Sequence, residues 1–480
     1  MIPSIAGLIV CSVIYLFALR STAPLLVSLI VSLAFGATAI ANLPAVGGSS
    51  PLIYVVFAAA LLISVVLRRD SFRELGTVFA QQPSAWLLVL LAVYVAAGAY
   101  LLPRIFAGQT AVFIPQRQDG EGGGIVEVLL TPVSGNITQT MYFLLDILTF
   151  FAVSILLLQR KMFVAIKQGF FAMATVHVVL GCIDFLGKLG GAPDVLAPLR
   201  SASYAMVTGV DIVGIWRIAG AYSEASGFGG ATIVLLAFTF SYWKLTRHAY
   251  ALALSIALLV LLLLSTSSTA YVAGGVLALV AVVSVASTAL RDRLRSPDLV
   301  LLGGAFALLI GGLAVVLFNP SVLEPVERIF DALILNKASS ASGMERAYWN
   351  QTSLQSVLET GGLGVGLGSS RASSWVIAVV SQLGIAGSIM IALLVLELAR
   401  AGRHHRSGDL DEDIRPIALS VRSSCLAGLL TASIAGGAAD PGISFFIGSA
   451  VVLSYERHSL RRRAGAAHEH RPGALRAAPA

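Results

Sequence analysis

The residues of this chain best equipped for chemistry are arginines set among glycines. In Gly214-Ile215-Trp216-Arg217-Ile218-Ala219-Gly220-Ala221-Tyr222-Ser223-Glu224-Ala225-Ser226-Gly227, a guanidinium and a carboxylate precede an apolar run. A second stretch, Ser342-Gly343-Met344-Glu345-Arg346-Ala347-Tyr348-Trp349-Asn350, continues through an amphipathic segment, 351–360. It ends in Gly361-Gly362-Leu363-Gly364-Val365-Gly366-Leu367-Gly368-Ser369-Ser370-Arg371. Guanidinium is permanently charged, and its planar fork matches phosphate oxygens in pairs. A glycine run opening onto a helix offers free N–H groups, which also suit an anion. The bland alternatives are a flexible re-entrant turn for the glycines and an entry loop with a snorkelling arginine for the first stretch.

Other chemistries find little support. No GxxxxGK[ST] loop is present, no strand leads into the glycine run and no Lys follows it, so neither nucleotide-binding fingerprint applies. Cys11, Cys182 and Cys425 lie in or beside apolar runs with no ligand at metal spacing, and read as small hydrophobes. The one acidic cluster, Asp409-Leu410-Asp411-Glu412-Asp413, reads as a solvated loop. No metal and no cofactor are expected.

The elements that carry these residues must be membrane helices. Of 480 residues, 57% are hydrophobic and only 12% charged, with a mean hydropathy of +0.87. Soluble domains carry about 25% charged residues, and no soluble packing hides this much apolar surface. Apolar runs near 3–19, 24–42, 51–67, 85–102, 140–158, 168–187, 225–243, 249–264, 270–290, 299–318, 374–399, 417–436 and 441–455 give about thirteen spans at some 20 residues each. The fold expected is all-α, a polytopic helical bundle over 1–456 with helical or irregular outer loops near 103–139, 188–224 and 319–373. A basic, disordered tail, 457–480, follows. The first run has no charged n-region or small-residue cleavage site, so a removable signal peptide is not expected.

Basic residues record the orientation. Arg20; Arg68, Arg69 and Arg73; Arg160, Lys161 and Lys167; Lys244 and Arg247; Arg291, Arg293 and Arg295; and Arg400, Arg403, Arg406 and Arg415 fall in alternate short loops. The opposite, longer loops hold only Arg104, Arg117, Lys188, Arg200, Arg217, Arg328, Lys337, Arg346 and Arg371, so the positive-inside rule puts the first set in the cytoplasm, with the N-terminus outside and the C-terminus inside. The formal charge of +7 is thus a topology signal and no argument for nucleic acid. Asp146 and Arg422 fall inside expected spans, where charges are costly and pairing is one solution.

The two arginine stretches, in this order and on the outer face, resemble the O-antigen polymerase and O-antigen ligase superfamily of bacterial envelope glycan assembly. The matching residues are Arg217-Ile218-Ala219-Gly220 with Glu224-Ala225-Ser226, then Arg346, Gly364 to Ser369, and Gly384-Ile385-Ala386-Gly387. The match covers roughly 210–390. The chain departs from the family at Ala225, where a Pro is usual. It departs again at Ser373-Ser374, where ligases carry a His, so polymerase is favoured over ligase.

The resemblance implies a metal-independent, GT-C-like glycosyltransferase of the bacterial inner membrane. Its donor and acceptor would be glycans on polyprenyl diphosphate, its other partners membrane lipids and a chain-length regulator or export protein. Arg217 and Arg346 would then hold the departing diphosphate, supported by Arg371, Ser369 and Ser370 at the glycine run. Glu224 would be the base or a structural partner of Arg217, with Glu345 and Asp211 as runners-up. Tyr222, Ser226 and Tyr348 would line the substrate path, although Tyr222, Tyr348 and Trp349 also suit interface anchoring. A flippase or transporter of lipid-linked glycans fits the span count but leaves the outer Arg and Gly segments without a role.

Overall fold

A backbone group in lipid has no water to bond, so each apolar run must close its own hydrogen bonds as helix. The computed structural model describes residues 2–18, 21–44, 48–115, 124–204, 206–209, 211–212, 215–289, 303, 340–402 and 413–469. In these the chain is helical, with three short antiparallel strand pairs. Helices α1 (Ile5–Ala18), α2 (Thr22–Ser32), α3 (Ile53–Val66), α4 (Ser71–Gln81) and α5 (Pro83–Ile105) come first. Then follow α6 (Ser134–Leu156), α7 (Met162–Leu189), α8 (Ala225–Thr246), α9 (Ala249–Leu264) and α10 (Ser268–Ala289). The last four are α11 (Ala341–Glu359), α12 (Trp375–Arg400), α13 (Arg415–Ala435) and α14 (Ile443–Glu469). The strand pairs are β1 (Ile2–Pro3) with β2 (Ala41–Asn42), β3 (Ala111–Pro115) with β4 (Ile125–Leu129), and β5 (Asp211–Ile212) with β6 (Ile215–Trp216).

Among the described residues, seven helices (α5, α6, α7, α8, α10, α12 and α13) are long and apolar enough to cross a membrane. Four more, α1, α2, α3 and α9, are apolar but shorter. The protein is a helical, multi-pass membrane protein. Its outer surface agrees: α5 alone turns Trp86, Leu90, Val93, Tyr100 and Leu101 outwards, a band that water would not tolerate and lipid does. The expected span 299–318 and the expected outer cations Arg328 and Lys337 lie outside the described residues.

The run 24–42 departs from expectation. Its helix stops at Ser32 after 11 residues, about 16 Å at 1.5 Å per residue and roughly half a hydrocarbon core. Residues 33–42 instead bond to a later part of the chain. The Ala37 amide donates to Ala221 O (2.8 Å), Ala202 N to Ala37 O (3.1 Å) and Thr38 Oγ1 to Leu199 O (2.5 Å). Unwound backbone is tolerated at this depth because protein, not lipid, surrounds it. The tail also differs: α14 continues to Glu469, so the basic segment from 457 begins as helix, and 470–480 lie outside the described residues.

The loops sort to two ends. At one, Arg371 N donates to Phe113 O (2.9 Å), Asn136 Nδ2 to Leu367 O (2.8 Å) and Trp375 Nε1 to Ala439 O (3.0 Å). At the basic end, Gly402 N donates to a Glu456 carboxylate oxygen (2.8 Å), and Arg160 lies 3.9 Å from Asp413. Between them α8 packs along α13 and α9, α2 along α7, and α6 along α14. Fully buried Phe57, Phe143, Phe150, Phe163, Phe238 and Phe446 fill the core, and Phe143 meets Phe446 edge-on at 5.6 Å. The motif-bearing residues all fall at the less basic end.

Candidate functional site

Arg217 leaves the β5–β6 turn and enters a segment that cannot be helical. Gly220 has φ +54°, a left-handed value that disfavours any side chain, and a Cβ there would meet the Phe228 ring at 2.8 Å. Three charged side chains hold this segment. Asp184 Oδ2 accepts from Ala219 N (2.8 Å) and Gly220 N (3.1 Å), while Lys188 Nζ donates to Arg217 O (2.5 Å). Arg200 Nε and Nη2 donate to Gly220 O at 2.9 and 2.7 Å. Lys188 and Arg200 both pair with Asp184, at 2.9 and 2.6 Å, and all three side chains are almost wholly buried. By sequence, Lys188 and Arg200 are only two of the sparse outer cations, and Asp184 is not singled out. The i,i+4 spacing of Asp184 and Lys188 near the end of an apolar helix was the signal available.

The Arg217 guanidinium itself is half-buried, and its Nε is buried with no hydrogen-bond partner among the described residues. Burial lowers its pKa, nearby Glu224 opposes that shift and nearby Arg346 adds to it. An arginine this basic keeps its proton. The structure thus brings Arg217, Glu224 and Arg346 into one electrostatic neighbourhood. Glu224 is the N-cap residue of α8, but its side chain makes no capping bond; it accepts instead from Ser226 Oγ. Arg346 is delivered by the first turns of α11, whose start is capped by Ser340 Oγ accepting from Gly343 N (3.1 Å).

That helix is seated on the β3–β4 hairpin. The Tyr348 hydroxyl donates to a Glu127 carboxylate oxygen (2.8 Å), which raises its pKa, and its ring meets Phe113 at 5.6 Å. Trp349 lies 6.1 Å from the same ring. Tyr222 turns inwards: its hydroxyl donates to Leu33 O (3.1 Å) and its ring lies 5.7 Å from His177. Glu345 is exposed, and the Asp211 side chain lies outside the described ones.

The glycine run differs from its sequence reading as an open anion cradle, because most of its amides are bonded within the protein: Gly364 N donates to Thr360 Oγ1 (3.1 Å), Val365 N to Ser381 O (2.9 Å) and Gly366 N to Gln382 O (3.0 Å). Gly368 N donates to Gln382 Oε1 (2.9 Å). The accepting carbonyls are freed because α12 breaks at Gly384 (φ 65°, ψ −169°). Ser369 and Ser370 are buried structural groups as well. Ser369 Oγ accepts from Asn136 Nδ2 (2.7 Å), and Ser370 O accepts from Gln382 Nε2 (2.9 Å). The Arg371 guanidinium lies against the α13–α14 connection: a Cβ on Gly437 would be 3.2 Å from its Nε.

Asp146 does not pair with Arg422. Arg422 donates to Ala401 O near the basic end, whereas Asp146, 1% exposed, lies in the field of Asp440 on the α13–α14 connection. Burial pushes the Asp440 carboxyl up to about 6, partly offset by the Gly442 amide on its Oδ1 (2.8 Å). A carboxyl raised above its unfolded value of 3.8 favours the fold while protonated, and that contribution disappears as pH rises through about 6. The thermal midpoint of the purified protein is therefore expected to fall between pH 4 and 6.5, and Asp440→Asn to flatten that slope. An unchanged slope in the variant would remove Asp440 as its source.

Among the described residues no group of three or more His, Cys, Asp or Glu side chains is placed to hold a metal. A cavity of about 340 Å³ lined by Lys167, Phe171, Tyr242, His248 and Tyr250 opens at the basic end, away from the arginine pair. No family model matches the chain, and no curated protein matches it.

Proposed function

We propose that the chain is a polymerase joining polyprenyl-diphosphate-linked oligosaccharide units into an O-antigen or exopolysaccharide at the outer face of the bacterial inner membrane. One observation carries the reading: a half-buried arginine with an unpartnered Nε stands in the field of a second arginine at the same end of the bundle. Two like charges held together, with one carboxylate beside them, gain most when an anion of two or more charges sits between them. With the shorter apolar helices, 299–318 and the start of α14 taken as spans, the count reaches the odd number that sets the N-terminus outside. The fold would be of the GT-C type.

In the step envisaged, an acceptor hydroxyl attacks the anomeric carbon of the donor sugar. The bond from that carbon to the diphosphate oxygen breaks, its electrons leave with the lipid diphosphate, and Arg217 and Arg346 stabilise the developing charge. Glu224 takes the hydroxyl proton. Because the Glu224 side chain makes no capping bond, Glu224→Gln is expected to leave protein level unchanged and to slow chain growth by about 10²-fold. Near-normal polymer from that variant would dismiss Glu224 as the base.

The function as a whole is tested by deleting the gene and sizing lipid-linked oligosaccharides from the two faces of the membrane. A polymerase leaves single repeat units displayed outside. Units trapped inside would mark a flippase, and long chains left on the carrier a ligase; either result overturns the proposal.

A further inference from the structure

We infer that Asp184, Lys188 and Arg200 are positioning residues for the anion site, an inference that rests on the diphosphate reading of Arg217. The clamp grips the backbone of Arg217-Ile218-Ala219-Gly220 from three sides. Lys188 Nζ holds the carbonyl of Arg217 itself (2.5 Å), Asp184 Oδ2 holds the next two amides that matter, Ala219 N and Gly220 N, and Arg200 holds Gly220 O through two nitrogens. With backbone bonds on its own carbonyl and on the residues two and three beyond, Arg217 has a fixed Cα position. Its guanidinium can therefore wait half-buried with an empty Nε.

The choice of charged groups argues for more than a staple. Burying ions costs several kcal/mol each after relaxation, and apolar or neutral packing is often at least as stable. Here two cations share one carboxylate, each almost wholly buried. The layer beneath Arg217 carries a surplus positive charge that no described carboxylate cancels. Such a layer disfavours the empty site and favours one that holds an anion, and it keeps the arginine aimed where the anion arrives. The three residues come from the last turns of α7 and the segment after the short 3-10 turn Ala197–Leu199, so the clamp also ties the second outer loop to the helix that anchors it.

The test uses the full chain in detergent, with inorganic pyrophosphate as the probe and the thermal unfolding midpoint as readout, across a range of salt concentrations. Wild type is expected to show a saturable rise. Lys188→Met keeps the Asp184–Arg200 pair but leaves the Arg217 carbonyl without its donor, so its probe-free midpoint should fall modestly while the half-saturating pyrophosphate concentration rises at least tenfold. Its salt dependence should change less than that of Arg346→Met, because the Lys188 charge is buried, where salt screens it little, whereas Arg346→Met removes a group facing the anion. Should Lys188→Met fold poorly, Arg200→Lys preserves the charge at Asp184 but not the two-nitrogen grip on Gly220 O, and the same tenfold weakening is expected. Wild-type affinity in a folded variant overturns the clamp and leaves the anion site standing. Absence of any saturable rise in wild type overturns the diphosphate reading and the clamp with it.

Discussion

Arg217→Lys is expected to polymerise 10²–10³-fold more slowly than the native protein, nearly as slowly as Arg217→Ala. Lysine retains the charge, so a site that needed only a cation would barely notice. It lacks the Nε that stands buried and unpartnered, and an ammonium cannot present two parallel donors to one phosphate. Removing a single preorganised donor from a site that stabilises developing charge costs about that factor. Arg346→Lys is expected to follow the same rule. The measurement is chain assembly by purified protein from a synthetic lipid-diphosphate oligosaccharide, with protein level and thermal midpoint recorded alongside. Full-length polymer from both lysine variants would show that charge alone suffices and would remove the fork from the argument.

Gly364→Ala is expected to destabilise the fold by about 2–6 kcal/mol rather than to weaken a ligand. Gly364 has φ +82°, and a Cβ there would fall 2.6 Å from Gly384 N and 2.8 Å from Ser381 O. Both obstacles are backbone, so no side chain can swing aside. Left-handed strain and overpacking each cost about 1–3 kcal/mol, against a total stability of roughly 5–15 kcal/mol. The cost is concentrated where the loop is threaded through the break in α12. Fluorescence-detected size exclusion of a fluorescent-protein fusion, after heating, should show the monodisperse peak lost at a clearly lower temperature than for the native protein. A sharp native peak with impaired pyrophosphate binding would instead restore the glycine run to the ligand.

How far the sequence was readable differs residue by residue. The cores of α6, α7, α8 and α12 follow from apolar length alone, and the placement of Arg217, Glu224 and Arg346 at one end follows from the alternation of basic loops. The β3–β4 hairpin was legible but passed over: Ala111–Pro115 and Ile125–Leu129 are rich in β-branched residues and flank a glycine-rich turn sequence. The fate of the glycine amides was not legible. It depends on Gly384 unwinding a helix that propensity would carry through, so that Ser381 and Gln382 have carbonyls to offer. Tyr222 likewise looks like an interface anchor until Leu33, far away in sequence, is found to take its hydroxyl. Local pattern gives the elements and the charges; long-range hydrogen bonding decides which polar groups remain available.

The half-length α2 has a consequence for biogenesis. Its unwound continuation is sealed by partners at Leu199, Ala202 and Ala221, the first of which leaves the ribosome 161 residues after Thr38. During that interval, about 8–32 s at usual translation speeds, the apolar stretch lacks these partners. Until they arrive, its amides are satisfied only if the run stays helical or is still held within the insertion machinery. Truncations ending before Leu199 should be cleared by membrane proteases, and those extending past Ala221 should persist.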